Sequence, residues 1–122
     1  MSDEFLKAAK QEIQIELEGL DKVLMSCNND EHVFKNSRKI ESHLHKIKGL
    51  APMMGQDKIG EVAKMSNVIL QFIMDNGTLS GSYKIILESV EKMKHMFNGQ
   101  DIDDTANFRN RVRNSFPQIV DW

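Results

Sequence analysis

The sequence predicts an all-α protein, on three observations. Apolar residues recur at three- and four-residue spacings instead of alternating, only two prolines and seven glycines fall within 122 residues, and each amphipathic stretch ends at a turn signal. Short connections between long amphipathic helices favour antiparallel neighbours. The expected architecture is therefore an antiparallel up-down four-helix bundle over about residues 3–97, with an additional C-terminal helix over about 104–116. A chain of this length supports one hydrophobic core, so residues 1–122 are expected to form a single domain.

The first of five helices runs from about Asp3 to Met25, where Phe5, Ala9, Ile13, Leu17, Leu20 and Leu24 stack on one face. Cys27-Asn28-Asn29-Asp30 interrupts the pattern, and Asp30 is placed to cap the next helix. That second helix, about Glu31 to Leu50, carries Val33, Ile40, Leu44 and Ile47, with Ala51 extending the stripe. Pro52 disturbs its end because proline lacks an amide hydrogen and its ring crowds the Lys48 carbonyl. Gly55 suits the chain reversal that follows. A third helix, about Gln56 to Asp75, continues through Ile59, Val62, Ser66, Ile69 and Ile73 to the stop signal Asn76-Gly77. Ser80 or Ser82 is positioned to cap a fourth, with Ile86, Val90, Met93 and Phe97 inward and Asn98-Gly99 at its end. The fifth, about Asp104 to Ser115, presents Phe108 and Val112, with Phe116 one turn on and Pro117 as its stop.

Composition removes several function classes. The apolar share of 40% and charged share of 28% are ordinary for a soluble globular protein. No window approaches the ~18 apolar residues of a membrane span. The start Met-Ser-Asp-Glu lacks the basic and apolar regions of a secretory signal, so a cytoplasmic location is expected. Cys27 is the only cysteine, which excludes an internal disulfide and a multi-cysteine metal site. The net charge of -2 offers no general attraction to nucleic acid or to a membrane, and neither is expected as a partner.

The chemistry is concentrated in His45-Lys46-Ile47-Lys48-Gly49-Leu50-Ala51-Pro52-Met53-Met54-Gly55. At about 100° per residue, His45 points roughly 135° away from the stripe through Ile40, Leu44 and Ile47, towards solvent. Lys48 and Gly49, three and four residues on, share its face. An unperturbed imidazole titrates near pH ~6.5, so at neutral pH most of it is uncharged and nucleophilic. Lys48 disfavours the imidazolium and is placed to pair with phosphoryl oxygens. Gly49 leaves open the space above the ring that a donor's active site would occupy, although a mid-helix glycine costs about 1 kcal/mol relative to alanine. The plain alternative is a solvated helix face with a glycine near its end.

His45-x-Ile47-Lys48-Gly49-x-Ala51-x-x-Met54-Gly55 resembles the signature of histidine phosphotransfer (HPt) domains: His, aliphatic, Lys-Gly, small, large apolar and Gly at these spacings. The helix layout over roughly residues 3–97 follows the same family in register, and the fifth helix and apolar Met54-Gly55 turn are most similar to the N-terminal HPt domain of CheA-type chemotaxis histidine kinases. The resemblance implies a two-component signalling role, in a phosphorelay or in chemotaxis. His45 would be the phosphoryl acceptor, Lys48 the phosphoryl-stabilising cation and Gly49 the steric-clearance residue. The implied partners are a histidine kinase catalytic domain or hybrid-kinase receiver as donor and a response-regulator receiver aspartate as acceptor. No cofactor is expected on this chain, and Mg²⁺ is expected on the receiver.

One position departs from the chemotaxis form, which places a glutamate 22 residues after the histidine; here Asn67 stands there. Other HPt domains carry an amide at that point. Asn67 flanks Ala63 and Leu70 at the margin of the buried stripe, so its side-chain oxygen is expected to accept from the imidazole and fix its tautomer. Leu50 and Pro52 are bulkier than the family's usual residues, and Lys46 and Lys64 are candidates to add positive potential.

Other signals are weaker. His43 lies about 200° around the helix from His45 and reads as a structural histidine. Glu41 with His45, and Glu91 with His95, have the spacing of a metal clasp but no convergent third ligand in the sequence. A metal-binding bundle using Glu41, His43 and His45 is thus the more distant rival, and a pseudo-HPt adaptor that only docks partners is the nearer one. Arg109, Arg111 and Arg113 alternate and so share no single face; a solvated or acid-paired helix is expected. No nucleotide loop or serine nucleophile motif occurs, so the domain reads as a phosphocarrier, by itself or as the N-terminal part of a histidine kinase.

Overall fold

The computed structural model describes residues 2–100 and 104–122, which contain six α-helices and no strand. α1 (Asp3–Met25) has the predicted bounds. The Ser2 hydroxyl accepts the Phe5 amide, and Asp3 and Glu4 sit against the positive end of the helix. Phe5 was expected on the inner face but is 38% exposed, because the buried stripe begins one turn later at Ala9.

The predicted second helix is two. α2 (Asp30–Lys35) and α3 (Ser37–Met53) meet at Asn36, whose backbone leaves the helical region at φ -105°, ψ 14°. Its side-chain amide donates to the His32 carbonyl at 2.9 Å, beside the Asn36 backbone amide that donates to the same oxygen at 3.0 Å. α3 also runs past Leu50, through Pro52 to Met53, since a proline in the last turn removes one ladder bond without ending the chain's helical path. Gly55, at φ 75°, then reverses the chain, with the Gln56 amide on the Ala51 carbonyl (2.9 Å) and the Gly55 amide on that of Pro52 (3.0 Å). α4 (Asp57–Asn76) follows, then α5 (Ser82–Phe97) and α6 (Thr105–Ser115).

Two capping expectations are corrected. Asn29 caps α2, its Oδ1 accepting the His32 amide at 2.9 Å. Asp30 instead reaches the start of α5, where its two carboxylate oxygens accept the Gly81 and Tyr83 amides at 2.9 and 2.8 Å. A charged acceptor across the structure thereby takes the place expected for Ser80 or Ser82. Ser82 is buried there, and its hydroxyl has no hydrogen-bond partner among the described residues.

α3 and α4 share the most extensive helix–helix interface; α1 packs on α3 and α5, and α4 packs on α5 and α6. Ile13, Leu20, Ile40, Leu44, Ile47, Ile69, Leu70, Ile73 and Ile86 lie fully inside one core. α6 adds Phe108 and Val112 to it. Arg111 forks onto the Glu88 carboxylate, Arg109 meets Glu61 at 3.1 Å, and Lys92 and Arg111 lie 5.0 and 5.2 Å from the centre of the Phe108 ring. Among the described residues no helix is long and apolar enough to cross a membrane.

Candidate functional site

Glu41, His45, Lys48 and Pro52 form one stripe along α3 at i, i+4, i+7 and i+11. Both ends of that stripe meet α4. The Glu41 carbonyl accepts from Asn67 at 3.5 Å, and Pro52 stands so close to Gly60 that a methyl there would come within 3.0 Å of its ring. His45 and Lys48 therefore occupy the α4 flank of α3, His45 exposed and Lys48 half-buried. Among the described residues neither side chain has a hydrogen-bond or ion-pair partner. Gly49 is exposed, and a side chain placed on it would meet nothing within 4 Å. Its φ is not positive, so neither packing nor backbone conformation within the chain requires glycine there.

Asn67 is closer to the core than expected, 2% exposed. Its Oδ1 accepts from Gln71 Nε2 at 3.1 Å and its Nδ2 donates to the Glu41 carbonyl, so among the described residues no hydrogen bond joins it to the imidazole. From its inward position a side chain one methylene shorter than glutamine reaches the α3 backbone one turn before His45. Lys46 also departs from expectation: its Nζ lies 3.8 Å from Glu16 Oε2 on the α1 flank, which leaves Lys48 and the exposed Lys64 as the cations on the α4 side.

The opposite flank of α3 holds a group that sequence reasoning missed. His43 Nδ1 lies 2.7 Å from Glu16 Oε1, and Glu16 is buried. The ring sits against Gly19, where an added methyl would fall 2.5 Å from Cε1. Burial alone pushes the Glu16 carboxyl up, but hydrogen bonds from His43 and Glu12 and the charge of Lys46 outweigh it and hold the group below the usual carboxylate range. Glu12 moves the other way, raised by its hydrogen bond to Glu16. The available signal was a carboxylate at a stripe position, Glu16 beside Leu17 between Ile13 and Leu20.

Glu41, His43 and His45 do not converge, and among the described residues no group of three or more His, Cys, Asp or Glu is placed to hold a metal ion. Arg109 and Arg111 are acid-paired through Glu61 and Glu88. Burial of its carboxylate partner notwithstanding, the Arg111 fork holds Glu88 below its usual range. No protein-family model matches the chain, and no curated protein or solved structure matches it significantly.

An exposed imidazole beside a cation on an open helical face has a defined chemical capacity. Its neutral form is a nucleophile that solvent and solutes can reach.

Proposed function

We propose that this chain is an HPt-type phosphocarrier of a cytoplasmic two-component pathway, with α1, α3, α4 and α5 as an up-down bundle and α6 appended to it. The observation that carries the reading is Gly49: a mid-helix glycine with open space above it and no internal reason to be glycine. Clearance for a docking partner supplies the reason, one turn from an exposed histidine.

In the proposed transfer, the unprotonated ring nitrogen of His45 bonds to phosphorus as the P–O bond to the leaving group breaks. The leaving group is ADP on a kinase or the aspartate carboxylate of a receiver. The proton on the other ring nitrogen then passes to solvent. Lys48 offsets the charge of the phosphoryl oxygens, and Mg²⁺ resides on the receiver. Asn67 acts on this site indirectly, by tying α4 to the α3 backbone at Glu41.

The rival is a docking adaptor without phosphoryl transfer, favoured by one observation: among the described residues no side chain hydrogen-bonds to His45 to fix its tautomer. Incubation with phosphoramidate, a donor that needs no docking, and with phosphorylated receivers separates the two. Acid-labile phosphate is expected on the wild type and not on His45→Gln, and Lys48→Ala should slow acceptance roughly threefold to tenfold. A folded wild type that takes phosphate from neither source leaves the adaptor.

A further inference from the structure

α4 faces α3 with Gly60 and Asn67, and next to that stripe it lines, through Glu61, Lys64 and Met65, a groove closed on its other side by Arg109 and Arg113 of α6 and by Trp122. The groove is about 250 Å³. Three cationic side chains converge on it against one acidic side chain, Glu61, which Arg109 takes at 3.1 Å. Among the described residues Lys64 and Arg113 have no ion-pair partner. The whole chain carries a net charge of -2, so this local excess of positive charge is not a consequence of composition. Gathering like charges is unfavourable unless a counter-charge arrives.

We propose that the α4–α6 groove binds a small organic anion, a phosphate or carboxylate carried on a flat apolar body. The guanidinium fork of Arg113 matches the geometry of an oxoanion, with Lys64 as a second, more mobile charge. Half-buried Trp122 and buried Met65 supply the apolar wall for a ring. The volume lies just under the ~300–1,000 Å³ of sites for drug-sized ligands, so the guest is a single ring with its charged group and not a nucleotide. Lys64 is shared with the α4 flank that faces His45, but the proposal does not rest on the phosphocarrier reading.

Trp122 is the only tryptophan of the chain, so its fluorescence reports on this groove alone. The full chain is titrated with phenyl phosphate, with inorganic phosphate and phenol as the two half-probes. Phenyl phosphate is expected to give a saturable change, with each half-probe weaker by about tenfold or more. The exposed double substitution Lys64→Glu/Arg113→Glu, checked for folding by circular dichroism, is expected to abolish the response, and amide NMR shifts should localise binding to residues 61–65 and 109–113 in the wild type. No saturation, an unchanged response in the double variant, or equal binding of inorganic phosphate would each overturn the proposal.

Discussion

His43 and Gly19 form a matched pair: the imidazole of α3 lies where a side chain of α1 would stand, 2.5 Å from its Cε1, and from there its Nδ1 reaches Glu16. The flank of α3 turned to α1 is thus fixed by the contact of His43 with the buried Glu16 carboxylate, while the flank turned to α4 leaves His45 open.

Two mid-helix glycines should respond oppositely to alanine. Gly49→Ala is expected to raise stability by about 0.5–1 kcal/mol, because its methyl meets open space and helix propensity alone decides. Gly19→Ala drives a methyl into the His43 ring and is expected to lower stability by about 1–3 kcal/mol. Urea unfolding midpoints measure both. The phosphocarrier reading adds that Gly49→Ala slows transfer from a protein donor more than labelling by phosphoramidate.

Acid sensitivity should depend on Glu16. Its carboxyl titrates lower in the folded state than when unfolded, so its stabilising contribution is complete above the ordinary carboxylate range and is lost as pH falls through the folded value. Glu12, raised in the folded state, contributes in the opposite sense, at low pH, and its contribution fades as pH rises. Glu16→Gln should therefore flatten the acid limb of a stability-against-pH curve. An unchanged limb in thermal melts across the acid range would count against the pairing.

Asn67→Ala is expected to act mainly on stability, costing about 1–2 kcal/mol through the loss of its bond to the Glu41 carbonyl and of buried packing. His45 acceptance rates, compared at equal folded fraction, are the check. On the phosphocarrier reading, an unchanged rate at equal folded fraction agrees with the indirect role, and a drop gives Asn67 direct contact with the ring during transfer.

At the start of α5 the side chains exchange the roles their types suggest. Asp30→Ala removes the acceptor for two amides and should cost about 1–2 kcal/mol. Ser82→Ala removes a buried hydroxyl without a partner among the described residues and should be neutral or stabilising by about 0.5–1 kcal/mol. Denaturant midpoints for the two variants decide the order.

The local parts of this structure were legible in the sequence. The stripe of α1 and the stops at Gly55, Gly77 and Gly99 depend on residues within one or two turns, and all three glycines have positive φ. The open face at His45, Lys48 and Gly49 followed from helical geometry in the same way. The misses are pairings between distant segments. Asp30 caps a helix some fifty residues away, Glu16 meets His43 across two helices, and Asn67 turns to the α3 backbone once α4 is docked. Asn36 is the exception, a local break in a periodic pattern whose asparagine was the available signal.

The turn at Gly55 has a consequence for the order of assembly. It joins, across residues 54–56, the two helices with the largest shared interface. Closing so short a loop costs little chain entropy, and contacts of low sequence separation tend to form first. The α3–α4 hairpin is accordingly expected to be the folding nucleus, with α1, α5 and α6 consolidating on it later. The face that carries His45 belongs to the earliest structure of the chain, and losses at the periphery should leave it standing.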